Sequence, residues 1–392
     1  MKSSTGKRLT IVLVATALAL LLGELAARAA FPPPSGYHTY PPGLRKVFSP
    51  TPGVMPGVSG DAQFEVNSLG LRGDEPPPGS PWRVLAVGGS TTECAYLDQP
   101  KTWPELLEAR LTAAGGPEVW IANAGRSGFT SRRHVVQLRH LLPQAPRWDA
   151  IVLLVGVNDL AKRLEYGDDA PDPRELSSET VPVTRAFTEV PADASGALPF
   201  HKRLGLWRMA QALKSKLAPS GLEQDSVGKK YVKWRLLRYR ASALRETLPD
   251  LDEALAAYAR NLEQCIELAR AHDVRLILVN QPSMWRAELP EELLRLLWLG
   301  GVGDYQHDAG CEYYTVEALA EGMARYNEVL RRIAVQHQIE FVDIASALPR
   351  DATSFYDDVH FNEGGAERVA ETLAEHLLAH PPFSSALEPD RE

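Results

Sequence analysis

Cysteine is scarce: the chain has three, Cys94, Cys265 and Cys311, in 392 residues, in no CxxC or Cys/His spacing. That argues against a disulfide scaffold or a structural zinc site and leaves open only a single Cys265–Cys311 bridge in an oxidising compartment. Positive charge is not in excess, because 42 Lys and Arg stand against 50 Asp and Glu for a formal charge of −8; nucleic-acid binders carry the opposite balance. No HExxH occurs, and His134 and His140 are six apart on an expected helix and do not share a face, so no metal and no cofactor is expected. Neither a P-loop nor a G-x-S-x-G elbow is present. Long apolar runs are absent except at the N-terminus. What remains is an ordinary globular composition, 44% hydrophobic and 23% charged, sufficient for one large or two modest domains.

The apolar exception runs from Leu9 to Gly23 behind Lys2, Lys7 and Arg8. Basic residues stay on the cytoplasmic side, so the remainder is expected across the membrane, extracytoplasmic. Extended to Phe31, residues 9–31 are long enough to anchor the chain; the alternative is secretion after cleavage near Ala29, where Ala27-Arg28-Ala29 offers small residues. Residues 32–81 are rich in Pro and Gly and predict an extended arm, since Pro fixes φ and lacks a donor.

From Arg83 onward, apolar runs near 84–87, 119–122, 151–155, 276–279 and 339–342 alternate with helical periodicity around 103–114, 132–142, 252–272, 315–337 and 364–379. Runs that are apolar on successive residues suit strands covered on both faces, and their alternation with helices predicts a parallel sheet flanked by helices. The stretch from Gly156 to Val274 is too long for a simple crossover and predicts a helical insertion at about 161–250 after the third strand. Within 201–245, twelve Lys and Arg face only Glu223 and Asp225, with Trp207, Tyr231 and Trp234 interleaved. This fits either a membrane-surface or anionic-glycan contact, or solvated helices whose aromatics pack on the main domain; the second is expected, because charge runs usually mark solvated faces.

Chemistry gathers at the strand ends. The first strand leads into Gly88-Gly89-Ser90-Thr91, the second into Asn123-Ala124-Gly125-Arg126-Ser127-Gly128 and the third into Gly156-Val157-Asn158-Asp159. A Ser, a backbone N–H at Gly128 and the Asn158 amide thus reach one edge of the sheet, where open α/β folds bind ligands and where an acyl-transfer oxyanion needs donors. Arg126 and Arg132 flank the glycine loop; an anionic substrate and a solvated helix start explain them equally well. Before the last helix comes Phe355-Tyr356-Asp357-Asp358-Val359-His360-Phe361-Asn362. A serine needs a base, and an imidazole serves best when a carboxylate orients it; Asp357 is three residues from His360, whereas the competing Asp358 is expected to aim away from the ring.

These four blocks resemble the SGNH hydrolases, the GDSL esterase/lipase family. Ser90, Gly128, Asn158 and His360 match, in order, the residues that name it, and Asp357 fits its D-x-x-H block. The resemblance implies a flavodoxin-like three-layer α/β/α sandwich on a five-stranded, mainly parallel sheet. It further implies catalysis by Ser90, His360 and Asp357, with an oxyanion hole of the Ser90 N–H, Gly128 and Asn158. The family's Gly-Asp-Ser-Leu is here Gly88-Gly89-Ser90-Thr91, and Asn67-Ser68-Leu69-Gly70-Leu71-Arg72-Gly73 resembles a segment of exported members. The expected organisation is a signal peptide or anchor (1–31), the arm (32–81), a hydrolase domain (82–380) and a tail (381–392). The expected function is an exported serine esterase acting on a short acyl ester, such as acetyl, of a glycan or lipid. The alternatives are an O-acyltransferase on an envelope polysaccharide and a non-catalytic glycan-binding protein.

Overall fold

The computed structural model describes residues 2–79, 81–115, 118–167, 182–217 and 226–380; the expected tail, Glu223, Asp225 and the insertion segments 168–181 and 218–225 lie outside the described residues. In chain order, α1 (Lys2–Ala30) precedes a hairpin of β1 (Arg45–Phe48) and β2 (Ala62–Glu65). Next come β3 (Trp82–Gly88), α2 (Ser90–Glu93), α3 (Trp103–Ala113), β4 (Val119–Asn123), α4 (Ser131–Leu141), β5 (Ala150–Leu154) and α5 (Val157–Glu165). The insertion contributes α6 (Gly205–Leu217), α7 (Ser226–Tyr239) and β6 (Leu244–Arg245). The chain then returns through α8 (Asp252–Ala271), β7 (Arg275–Val279), α9 (Glu291–Leu294), β8 (Tyr313–Tyr314), α10 (Val316–His337), β9 (Glu340–Val342), α11 (Ile344–Ala347) and α12 (Glu363–Ala379).

The five-stranded sheet runs β4-β3-β5-β7-β9, and every pairing in it is parallel. β4 and β5 are buried at every position, which is why they read as unbroken apolar runs. One face is covered by α3 and α12, the other by α4, α8 and α10, giving the expected α/β/α sandwich. Strand order reverses around β3, so the carboxyl ends of β3, β4 and β5 open on one crevice.

The segment 32–81 is not the extended arm that its composition suggests. Tyr40, Phe64 and Val66 make a small apolar cluster, and Asn67 Oδ1 accepts from the N–H groups of Leu69 (3.0 Å) and Leu71 (3.1 Å), an Asx turn that swings Arg72 inward. The fully buried Arg72 guanidinium donates to the carbonyls of Glu93, Cys94 (2.7 Å) and Leu97 (2.8 Å) and to Gln99 Oε1 (2.8 Å), and it lies 4.6 Å from the Phe64 ring. Proline content reports local stiffness and missing donors; it cannot report one long side chain that satisfies carbonyls some twenty residues away.

The Cys265–Cys311 bridge does not form: all three cysteines are free. Cys265 faces the core from α8, while Cys311 lies partly exposed ahead of β8. In the insertion, Tyr231 and Trp234 are buried, as expected for aromatics packed on the main domain, whereas Trp207 is partly exposed.

Replacing Arg72 by Met leaves the Glu93, Cys94 and Leu97 carbonyls without their donor. Urea denaturation is expected to show a loss of about 3 kcal/mol or more; a change below about 1 kcal/mol would show that these hydrogen bonds do not hold the segment in place.

Candidate active site

Ser90 is the first residue of α2, directly beyond β3. Gly89 lies close to the Asn158 amide: a Cβ there would sit 2.3 Å from Asn158 Nδ2, so a larger residue would have to displace that side chain. Gly128 has φ +73°, the left-handed region. The N–H groups of Ser90 and Gly128 have no acceptor among the described residues, the former because the first N–H of a helix has no intrahelical partner. Asn158, in the first turn of α5, donates from Nδ2 to Phe129 O at 2.9 Å; an amide NH2 carries two hydrogens, and the second remains.

The adjoining Asp159 is fully buried and pins this loop to the start of α4. It accepts from Ser131 Oγ (2.5 Å) and Ser131 N (3.0 Å), while Asn261 Nδ2 donates to Ser131 Oγ (2.9 Å). Burial pushes the Asp159 pKa up to about 6 despite these donors.

His360 reaches the same edge from the loop between α11 and α12. Asp357 Oδ1 accepts from Val359 N (3.0 Å) and His360 N (2.9 Å), which tightens the turn and explains the three-residue spacing. Beyond the turn, Asn362 caps α12 by accepting from Gly365 N (3.0 Å). His360 Nδ1 lies 2.8 Å from Asp357 Oδ2, and Nε2 lies 2.7 Å from Ser90 Oγ. With Nδ1–H donating to the carboxylate, Nε2 is the acceptor for the serine hydroxyl.

Asp357 and Asp358 are neighbours and both are fully buried. The Asp357 carboxylate also accepts from the Trp298 indole N–H (2.9 Å); Asp358 points away from the imidazole and accepts from the Trp285 indole (2.9 Å), Trp298 N (2.7 Å) and Leu299 N (3.2 Å). Burial opposes the charge on Asp357, but the imidazolium and these donors outweigh it and hold its pKa below the ordinary value. Burial and the Asp357 charge raise Asp358. Burial disfavours the His360 cation, but Asp357, Asp358 and Glu93 more than offset this and raise its pKa.

A family model described as GDSL-like Lipase/Acylhydrolase matches residues 86–368, most of the chain. The protein belongs to this family. It is a GDSL-like hydrolase acting on ester bonds. Among solved structures, it is similar to a lipolytic protein of the G-D-S-L family from Veillonella parvula at 13% identity, with 76% of this chain and 99% of that one covered and a TM-score of 0.41. It is also similar to an acetylxylan esterase from Geobacillus stearothermophilus (15% identity, 76% and 94% covered, TM-score 0.39) and a carbohydrate acetylesterase from Sinorhizobium meliloti (12% identity, 76% and 98% covered, TM-score 0.37). No curated protein matches the chain.

In this GDSL-like hydrolase, Ser90, Gly128, Asn158 and His360 line one cavity of about 430 Å³. Part of its wall comes from the insertion: Lys230, Tyr231 and Trp234 on α7, with Trp234 stacked on Trp298 at 4.3 Å. The sequence reading did not place α7 here, although Tyr231 and Trp234 are three apart and so share a helix face. The basic charge of α7 is partly structural: Arg235 donates to Tyr356 O (2.9 Å) and Val54 O (2.6 Å), and Arg238 to Leu299 O (2.5 Å) and Tyr314 O (2.9 Å).

Glu93 was also missed. It accepts from Ser127 N (2.8 Å), Ser127 Oγ and Tyr40 OH (2.7 Å), joining the serine turn to the glycine loop and to the N-terminal segment. No motif announces it. Arg132 lines the cavity, whereas Arg126 is engaged elsewhere, donating to Thr39 O at 2.7 Å.

Trp298→Phe removes one charged hydrogen bond from Asp357 while keeping most of the ring. A fall of about tenfold in kcat/KM on a small ester is expected; an unchanged kcat/KM would show that the indole does not support Asp357.

Proposed function

We propose that the protein is an extracytoplasmic serine esterase that removes a short acyl group, such as acetyl, and is held at the membrane by residues 9–31. The observation that carries this is the relay from Ser90 Oγ through His360 to Asp357, with contacts of 2.7 Å and 2.8 Å, at the edge of a cavity.

Ser90 Oγ attacks the ester carbonyl as its proton passes to His360 Nε2. The oxyanion forms against the N–H groups of Ser90 and Gly128 and the free Asn158 amide hydrogen. Collapse breaks the carbon–oxygen bond to the alcohol, which takes the proton from His360 and leaves. Water then gives its proton to His360 and attacks the acyl-serine, returning Ser90 and releasing the carboxylic acid. Asp357 fixes the tautomer and stabilises the imidazolium. The aliphatic lining of the cavity is limited to small, scattered patches, Ala95, Val157, Ala161, Leu299 and Val359, which supports a short acyl group.

Two features support the anchor. Lys7–Ala30 is 24 residues of apolar helix, long enough to span a bilayer. Its outer end is fastened to the fold: the Glu24 carboxylate accepts from the first N–H groups of α6, Gly205 (2.8 Å) and Leu206 (3.0 Å), and Arg208 Nε donates to Phe31 O (2.8 Å). Ala27 in the small-residue stretch is buried against this contact, which favours retention over cleavage. On this reading 1–31 is the anchor, 32–81 a docked clasp and 82–380 the hydrolase domain.

Ser90→Ala is expected to cut kcat on p-nitrophenyl acetate by about 10⁴-fold or more, and Asn158→Ala by about 10²-fold; full activity in Ser90→Ala would overturn the mechanism. His360 must be neutral to accept a proton and its pKa is raised, so kcat/KM should rise with pH along an acid limb whose apparent pKa lies above the ordinary histidine value of 6.5. A limb at or below that value would contradict the Asp357–His360 coupling.

A further inference from the structure

The cationic side of the cavity has no counterpart in the catalytic chemistry. Arg132, Arg133, Lys162 and Lys230 line it, against the single carboxylate of Glu165 among the described residues. The chain as a whole is acidic, so this is not a compositional accident. Lys162 is neutralised by Glu165, which it meets through both oxygens at 2.9 Å, and Lys230 lies 4.3 Å from the Trp234 ring.

Arg133 is different. Its half-buried guanidinium lies 5.1 Å from the Phe129 ring, yet it has no hydrogen-bond acceptor and no carboxylate partner among the described residues. Burial, and then the neighbouring charges of Arg132, Arg185 and Arg126, hold its pKa below the ordinary value. Arg133 also sits in the first turn of α4, a turn that contains no acidic residue of its own and where the helix dipole disfavours cations. By contrast, Arg72, Arg126, Arg235 and Arg238 all donate to carbonyl oxygens. A half-buried cation set among like charges and without an acceptor costs stability that the folded chain does not return, which is the condition of a group whose partner arrives with the substrate.

We propose that the cavity takes the acyl ester of an acidic carbohydrate, with Arg133 binding a sugar carboxylate while Ser90 meets the ester. This rests on the esterase reading of the site. A guanidinium matches a carboxylate through two parallel hydrogen bonds. Tyr96, Tyr231, Trp234, Tyr305 and Tyr356, which line the same cavity, supply aromatic surface for the C–H faces of sugar rings.

The test uses full-length protein in detergent with O-acetylated oligogalacturonate and, as the neutral match, O-acetylated xylo-oligosaccharide. The wild type should favour the acidic oligomer by about 30-fold in kcat/KM, mostly through KM, and the preference should shrink as salt is raised. Arg133→Gln should bring the ratio to within about threefold of unity, and Arg133→Lys should restore part of it. Arg133→Gln without ligand should melt no lower than wild type, because it relieves repulsion; a large drop would mark Arg133 as structural and overturn the proposal.

Equal turnover of the two oligomers, a ratio unchanged in Arg133→Gln, or a preference for a sulfated neutral oligomer over the uronate would each overturn it as well. De-esterified oligogalacturonate separates this claim from the esterase reading. Calorimetric binding that Arg133→Gln abolishes supports the carboxylate site even in a protein that turns over no ester, and absence of binding counts against it whatever the esterase activity.

Discussion

Two adjacent carboxylates, Asp357 and Asp358, are buried away from water, and much of the surrounding structure exists to satisfy them. Leaving either ion without partners would cost several kcal/mol. The fold meets the demand by bringing Trp298 to both: its indole N–H serves Asp357 and its main-chain N–H serves Asp358. Because the same residue stacks on Trp234, satisfying the carboxylates also builds the cavity wall. The α7 arginines close the arrangement by holding the carbonyls of Tyr356 and Leu299, on either side of the pair. The two acids, identical in type and adjacent in sequence, are driven apart in pKa by their partners: Asp357, facing His360, is lowered and Asp358 is raised.

A second chain of contacts joins the N-terminal region to the turn that carries Ser90. Arg72 ties the carbonyls at the end of α2, and Tyr40 reaches Glu93 and Gly125 O (2.8 Å). Glu93 in turn holds Ser127, next to Gly128. Segment 32–81 is therefore part of the site's support, and the same stretch of chain continues from α1. Loss of this segment should be felt at Ser90 through Glu93 and Ser127.

The sheet, its flanking helices and the four motif blocks were legible because they are local or periodic signals: unbroken apolar runs, helical spacing, and Asp357 three residues from His360. Placing Asp357 rather than Asp358 against the imidazole was also readable, since the turn geometry of a D-x-x-H loop decides it. The clasp was not legible, because Pro and Gly report backbone habits and conceal the partners of Arg72. Nor was the cavity wall, because α7 belongs to an insertion whose docking depends on distant carbonyls. The counts of Lys and Arg there suggested a solvated face, yet Arg235 and Arg238 are spent on main-chain oxygens. Glu93 and Trp298 carry no motif at all; only three-dimensional proximity gives them a role.

The account stands on Ser90 being a nucleophile activated through His360. Its most direct test is to treat the full-length protein with a fluorophosphonate and locate the adduct by peptide mass spectrometry, with His360→Ala beside it. The account predicts stoichiometric labelling at Ser90 in the wild type and its loss in the variant. Absence of label from folded wild type, or label on another residue, would contradict it.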